Sequence, residues 1–245
     1  MAKHKFEGTI TAIVTPFKKD LNIDFEKFKK LIEFQIENGV DGIVVCGSTG
    51  ESATLSAKEK ISLILTAIET VNGRVKVIAG TGTNNTAESI DMTTLAKEHG
   101  ADGVLIVAPY YNKPTQEGLY NHYRAIADSN DIPVIIYNVP SRAVVNIHPE
   151  IQLKLAEDCP NIVATKEASG NLEQMSEIIR NAPEKFVLLS GDDALTLPII
   201  SIGGRGVVSV ISNYAPKKFS EMVNYALKGK YNDARKIHYE LFELD

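Results

Sequence analysis

Short apolar runs alternate with amphipathic stretches along almost the whole chain. Runs rich in β-branched residues fall at 10–15, 42–46, 76–79, 103–108, 134–137, 162–166, 186–190 and 206–210. Each is bounded by turn residues, as buried strands are. Between and after them, apolar residues recur three and four positions apart over 25–38, 57–71, 86–100, 115–129, 149–158, 172–181, 194–202 and 216–228. That spacing predicts helices with one buried face. Strand starts lie roughly 20–34 residues apart, the length of a parallel strand–helix unit. Boundary residues agree. Asp24 precedes the first helix, Ser56 the second with Glu59 three residues on, and Asn171 the sixth; such side chains accept from free N–H groups of a first turn. Gly39 and Gly100 stand where helices should stop.

Eight such units predict a (β/α)8 TIM barrel. An open doubly wound sheet is the alternative, but no Gly-x-Gly-x-x-Gly turn follows the first strand. No Pro-rich or low-complexity linker divides the chain, so residues 1–229 are expected to form one catalytic barrel. Residues 230–245 read as the start of a further helical region, without a cap or turn signal at its end.

Composition narrows the function. The 245 residues are 44% hydrophobic and 23% charged, ordinary for a globular protein. The net charge is −5 with no basic patch, which argues against nucleic acid as a partner. No apolar run approaches the ~20 residues of a membrane span. Residues 1–5 are basic, but the apolar stretch behind them stops at Pro16, too short for a signal-peptide core. Cys46 and Cys159 lie far apart in no metal spacing, and read as free thiols in a reducing cytoplasm. The five histidines form no ligand pair, so no metal site is expected.

Catalytic groups of such a barrel come from the C-terminal ends of its strands. The sixth run, Asn161-Ile-Val-Ala-Thr-Lys166, ends in a lysine followed by Glu167-Ala-Ser-Gly-Asn171. A buried lysine loses its proton readily and can attack a carbonyl to form an imine; the alternative is a lysine that snorkels into solvent. The second strand ends in Gly47-Ser-Thr-Gly-Glu51, either a carboxylate cradle beside a helix N-terminus or a loop that only caps the helix. The fourth ends in Pro109-Tyr-Tyr-Asn-Lys113, whose tyrosines face opposite ways if the backbone stays extended. The fifth ends in Tyr137-Asn-Val-Pro-Ser-Arg142, a proton donor with a carboxylate clamp. In Ser190-Gly-Asp-Asp193, the two aspartates either hold a divalent ion or cap the next helix, the cap being preferred. Gly203-Gly-Arg-Gly206 lets backbone approach a ligand, a phosphate being the competing reading. Odd chemistry at five strand ends favours the imine-forming reading of Lys166.

These motifs, in this order, resemble the pyruvate-dependent class I aldolases that include dihydrodipicolinate synthase and N-acetylneuraminate lyase. The resemblance spans about residues 6–242, its most specific pieces being Gly47-Ser-Thr-Gly-Glu51, Tyr137-Asn-Val-Pro140 and Lys166-Glu-Ala-Ser-Gly170. Pro109-Tyr-Tyr-Asn-Lys-Pro-Thr-Gln-Glu-Gly118 and Arg142 look like the synthase branch, whereas Ser48-Thr49 is the lyase-like pair. The resemblance implies a lyase of diaminopimelate and lysine biosynthesis that condenses pyruvate with L-aspartate-4-semialdehyde. The alternatives are another pyruvate aldolase, acting on N-acetylneuraminate or a 2-keto-3-deoxy sugar acid, and a non-catalytic barrel. It implies Lys166 as imine nitrogen, Tyr137 as proton relay, Thr49 hydrogen-bonded to Tyr137, and Tyr111 completing the relay from a neighbouring subunit. Gly47, Ser48, Gly191, Asp192 and Val208 are implied to bind substrate, and Arg142 to hold the semialdehyde carboxylate. No metal or organic cofactor is implied; a cytoplasmic homodimer or homotetramer is.

Three departures bear on these expectations. The family has Thr-Gly after the arginine where this chain has Ala143-Val144; if that glycine serves a positive φ, valine there is costly and the Arg142 loop is displaced. Asn84, Glu88 and Tyr110 match the family's allosteric lysine pocket, but Ala57 and Lys60 replace its ring residues, so feedback inhibition is not expected. Family chains continue into further C-terminal helices that help assemble a dimer of dimers, and this sequence carries only the start of that region.

Overall fold

The computed structural model describes residues 6–244; the basic stretch at residues 1–5 and Asp245 lie outside the described residues. Eight parallel strands close into a barrel in sequence order: β1 (Gly8–Ala12), β2 (Gly42–Val45), β3 (Lys76–Gly80), β4 (Gly103–Val107), β5 (Val134–Asn138), β6 (Ile162–Glu167), β7 (Val187–Ser190) and β8 (Gly206–Ser209). The surrounding helices are α1 (Phe25–Glu37), α2 (Ala57–Val71), α3 (Thr86–Glu98), α4 (Gln116–Ser129), the single turn α5 (Pro140–Ala143), α6 (Pro149–Asp158), α7 (Leu172–Asn181), α8 (Thr196–Ser201), α9 (Pro216–Leu227) and α10 (Tyr231–Leu241). Asp24, Ser56 with Glu59, and Asn171 cap α1, α2 and α7 as the sequence predicts.

β1 begins two residues earlier than its apolar run because closure demands it. Gly8 and Thr9 pair with Gly206 and Val207 of β8. At this seam a Cβ on Gly206 would lie 2.2 Å from the Gly8 carbonyl oxygen, and φ there is +153°. Only glycine allows so close an approach. This corrects the ligand reading of Gly203-Gly-Arg-Gly206: residues 203–205 lead into β8 and Gly206 opens it, at the end of the barrel opposite the strand C-termini, where Gly206 serves the seam.

α10 packs on α9 through Ala234, Ile237 and Leu241, which cluster with Phe219, Met222, Val223 and Ala226. Within the helical region expected at 230–245, the described residues form α10 and a final 3-10 turn at Phe242–Leu244. Helix α5 was not legible as a helix. It occupies one turn after a proline, too short for a hydrophobic period to register.

Strand register decides which side chains meet. Tyr137 lies opposite Lys166, and Asn138 opposite Glu167. Since successive residues face opposite sides of a sheet, the first pair shares one face of the barrel wall and the second pair the other.

Candidate active site

Lys166 sits near the C-terminal end of β6 with 6% of its surface exposed, so it does not snorkel. Burial pushes its ammonium down to about 8; the Asp193 carboxylate opposes that and Arg142 adds to it. The amine stands 4.0 Å from the centre of the Tyr137 ring. Space for it depends on Gly191. A Cβ there would come within 3.1 Å of Lys166 Cε and 2.7 Å of the Ala168 methyl. Val208 is buried in β8. Asp193 ties down the end of β8, its Oδ2 accepting from the amides of Val210 (2.8 Å) and Ile211 (2.9 Å).

That use of Asp193 corrects part of the helix-cap reading. Asp192 Oδ1 accepts from the Leu195 amide at 3.1 Å in the turn into α8. Among the described residues no group of three or more histidine, cysteine, aspartate or glutamate side chains is placed to hold a metal ion.

The loop after β2 folds back on itself. Cys46 and Glu51 adopt positive φ, and the amides of Gly50 (3.1 Å) and Ser52 (3.4 Å) donate to the Gly47 carbonyl. This winding turns the Ser48 hydroxyl toward Tyr137, with which it hydrogen-bonds. The resemblance implied Thr49 at that contact; the geometry gives it to Ser48. Burial raises the Tyr137 phenol, while Ser48 and Arg142 pull it the other way. The helix N-terminus expected beside this loop is not available. A 3-10 turn, Ser52–Thr54, intervenes, and Ser56 and Glu59 cap α2 reciprocally, with Glu59 N to Ser56 Oγ at 3.3 Å and Ser56 N to Glu59 Oε2 at 2.8 Å.

After β4 the backbone is not extended. Tyr111 (φ +69°) and Lys113 (φ +50°) are left-handed, so simple alternation does not place the tyrosines. Tyr111 projects 89% exposed. Tyr110 instead lines a cavity of about 250 Å³ that it shares with Ser48, Ser52, Lys60, Thr83 and Arg142. Asn84 and Glu88 stand outside that lining. Asn84 Nδ2 donates to Asn112 Oδ1 at 3.1 Å, and Glu88 accepts from Thr83 Oγ1 at 3.4 Å. Glu88 thus stands directly behind the lining, on Thr83.

Arg142 leaves the barrel on α5 and lines the same cavity. Val144 closes α5 at φ +63°, 64% exposed. The position does require the left-handed conformation that a glycine would supply.

Sequence reasoning missed the polar cluster behind Lys166. Glu167 is fully buried. Its carboxylate accepts from Asn138 Nδ2 (2.9 Å), Gln152 Nε2 (3.1 Å), Gln174 Nε2 (3.0 Å) and the Ser169 amide (3.0 Å). Asn138 also binds Asn146 Oδ1 and the Ile147 amide, fixing the chain that returns from α5. The amides that satisfy Glu167 are scattered from 138 to 174, and no local spacing announces them.

A closed eight-stranded barrel with a desolvated lysine against a strand-end tyrosine is the framework of an imine-forming enzyme. The chain belongs to the dihydrodipicolinate synthetase family, whose model it matches over residues 5–245. It is 53% identical over 239 residues to the 4-hydroxy-tetrahydrodipicolinate synthase of Methanocaldococcus jannaschii, covering 98% of this chain and 82% of that one. The crystal structure of dihydrodipicolinate synthase from Aquifex aeolicus superposes with a TM-score of 0.96 at 50% identity, over 98% of this chain and 81% of that one. A structure described as the first monomeric dihydrodipicolinate synthase variant has a TM-score of 0.94 at 41% identity, over 97% and 80% of the two chains.

Proposed function

We propose that this chain condenses pyruvate with L-aspartate-4-semialdehyde to give 4-hydroxy-tetrahydrodipicolinate, the reaction named for its relatives. The observation that carries the reading is Lys166: a buried amine, held near 8, against a tyrosine at the C-terminal end of the barrel. The neutral amine attacks the pyruvate carbonyl and the adduct loses water, forming an imine. Loss of a methyl proton gives an enamine, which attacks the aldehyde carbon of the second substrate. The semialdehyde's own amine then displaces Lys166 and closes the six-membered ring. Tyr137 and Ser48 carry protons to and from the reacting oxygen, and Arg142 pairs with the semialdehyde carboxylate. Gly47, Thr49, Asp192 and Val208 shape the pyruvate end, and Gly191 keeps room for the lysine. Every step uses the chain's own groups and the two substrates.

Tyr111 points away from its own Tyr137 in this reading and completes the relay of a second copy. Its 89% exposure supports that role and a homo-oligomeric active form. No helix among the described residues is long and apolar enough to cross a membrane; with both cysteines free and buried, we assign the enzyme to the cytoplasm. The test is turnover of both substrates by the wild-type chain and by Lys166→Ala. Wild-type turnover that is lost in the variant supports the reading. Full activity in the variant, or cleavage of N-acetylneuraminate without use of the semialdehyde, overturns it.

A further inference from the structure

An asparagine side chain loses its amide most readily where glycine follows. The next backbone nitrogen must reach the side-chain carbonyl carbon, and glycine puts no side chain in the way. Two such pairs occur here, Asn38-Gly39 after α1 and Asn72-Gly73 after α2. Their surroundings differ. Asn38 is half-buried, its Nδ2 donates to the Phe34 carbonyl at 2.8 Å, and the Gly39 amide donates to the Ile36 carbonyl at 3.1 Å. Asn72 and Gly73 are both exposed. Among the described residues, neither the Asn72 side chain nor the Gly73 amide has a hydrogen-bond partner. Electrophile and nucleophile are therefore both occupied at the first pair and both free at the second. Asn72 is also left-handed, at φ 46° and ψ 48°. That region favours no L residue, so little is lost when ψ turns to bring the Gly73 nitrogen onto the side-chain carbon. We propose that Asn72 is a site of spontaneous deamidation in the folded protein, and that Asn38 is protected.

The deprotonated Gly73 nitrogen attacks Asn72 Cγ, the bond from Cγ to Nδ2 breaks, and ammonia leaves a cyclic imide. Water then opens the ring at either carbonyl. One product is aspartate; the other is isoaspartate, with the backbone rerouted through the side chain. Only hydroxide and water are consumed. The new carboxylate stands at the C-terminus of α2, where the helix dipole opposes negative charge. It also stands two residues from Arg74. That guanidinium donates to both Glu33 oxygens (2.7 and 2.6 Å) and to the carbonyls of Thr70 (2.6 Å) and Val71 (3.0 Å), tying α2 to α1. A second carboxylate competes with Glu33 for this fork. The turn leads into the start of β3, at the end of the barrel away from Lys166. Deamidation thus loosens the α1–α2 contact and leaves the amine untouched, whatever reaction the amine serves.

The experiment is ageing of the full chain at mildly alkaline pH, followed by peptide mass mapping of both Asn-Gly pairs, with a parallel sample kept unfolded in urea. In the folded sample Asn72 is expected to deamidate about tenfold faster than Asn38 or more. In urea the two rates should be similar, because glycine follows both residues. Equal rates in the folded protein overturn the proposal, as does an Asn72 that stays intact when folded while it reacts in urea. So does a preference for Asn72 that persists in urea, since sequence and not structure would then set it. Asn72→Asp, which carries the charge of one product, should lower the thermal midpoint and leave borohydride trapping of pyruvate on Lys166 unaltered. An unchanged midpoint would overturn the predicted loosening of the α1–α2 contact.

Discussion

Whether Lys166 can attack a carbonyl depends on where its proton is lost. With the amine near 8, the rate of imine formation should rise with pH through about 8 and then level off, measured by borohydride trapping at fixed pyruvate. A midpoint near the ordinary 10.5 would contradict the burial argument. The same shift has a stability consequence. The folded lysine releases its proton at lower pH than the unfolded one, so between about 8 and 10.5 the unfolded state binds more protons and stability rises with pH. Comparing urea midpoints of wild type and Lys166→Met across that range isolates this contribution, which the variant should lack. Ser48 and Thr49 offer a second residue-level test. If Ser48 is the hydroxyl coupled to Tyr137, Ser48→Ala should lower kcat by about 10², and Thr49→Val should cost far less; the reverse order would restore Thr49 to the relay. At Val144, a β-branched residue in left-handed backbone carries strain. Val144→Gly should raise unfolding stability by about 1 kcal/mol, after the entropy cost of glycine is subtracted.

Among the elements, the segment from β5 to α6 governs the site. β5 delivers Tyr137 on one face and Asn138 on the other; the next turn, α5, carries Arg142. Glu167 then anchors the returning chain through Asn138. Replacing Glu167 with leucine would leave several amide donors buried without an acceptor, costing about 3 kcal/mol or more in denaturant unfolding. The KM for the semialdehyde should rise more than that for pyruvate, since Arg142 hangs from this segment while Lys166 is fixed by β6. A uniform loss in both would mean that Glu167 supports only the fold. Much of this level was legible in the sequence. Strand and helix runs are set by periodicity, so β6 and its terminal lysine stand out, and the caps at Asp24, Ser56 and Asn171 follow from side-chain chemistry. What escaped detection depends on backbone winding or on distant residues. The left-handed turn at Cys46 selects Ser48 over Thr49, the left-handed Tyr111 breaks alternation, and the Glu167 cluster joins residues far apart in sequence. The glycines before β8 were legible as small residues, but only barrel closure shows that Gly206 serves the seam.

At the scale of the whole molecule, the barrel brings β2, β5, β6 and β7 ends together around one amine, while its opposite end holds the closing glycines. Tyr111 is the group that this arrangement leaves pointing outward. If it serves a second copy, specific activity should fall on dilution as the assembly dissociates, and Tyr111→Phe should lower turnover at concentrations where assembly is complete. Activity per chain that is independent of concentration, with a fully active Tyr111→Phe, would place the relay within one subunit. The barrel's focus is Lys166, an amine that loses its proton more readily than an ordinary lysine. Incubation with pyruvate and borohydride, followed by peptide mass mapping, reads out that amine's reactivity. One reduced pyruvyl adduct is expected, on Lys166 and absent from Lys166→Ala; a folded protein with no adduct, or with the adduct on another lysine, would rule out Lys166 as the imine-forming amine.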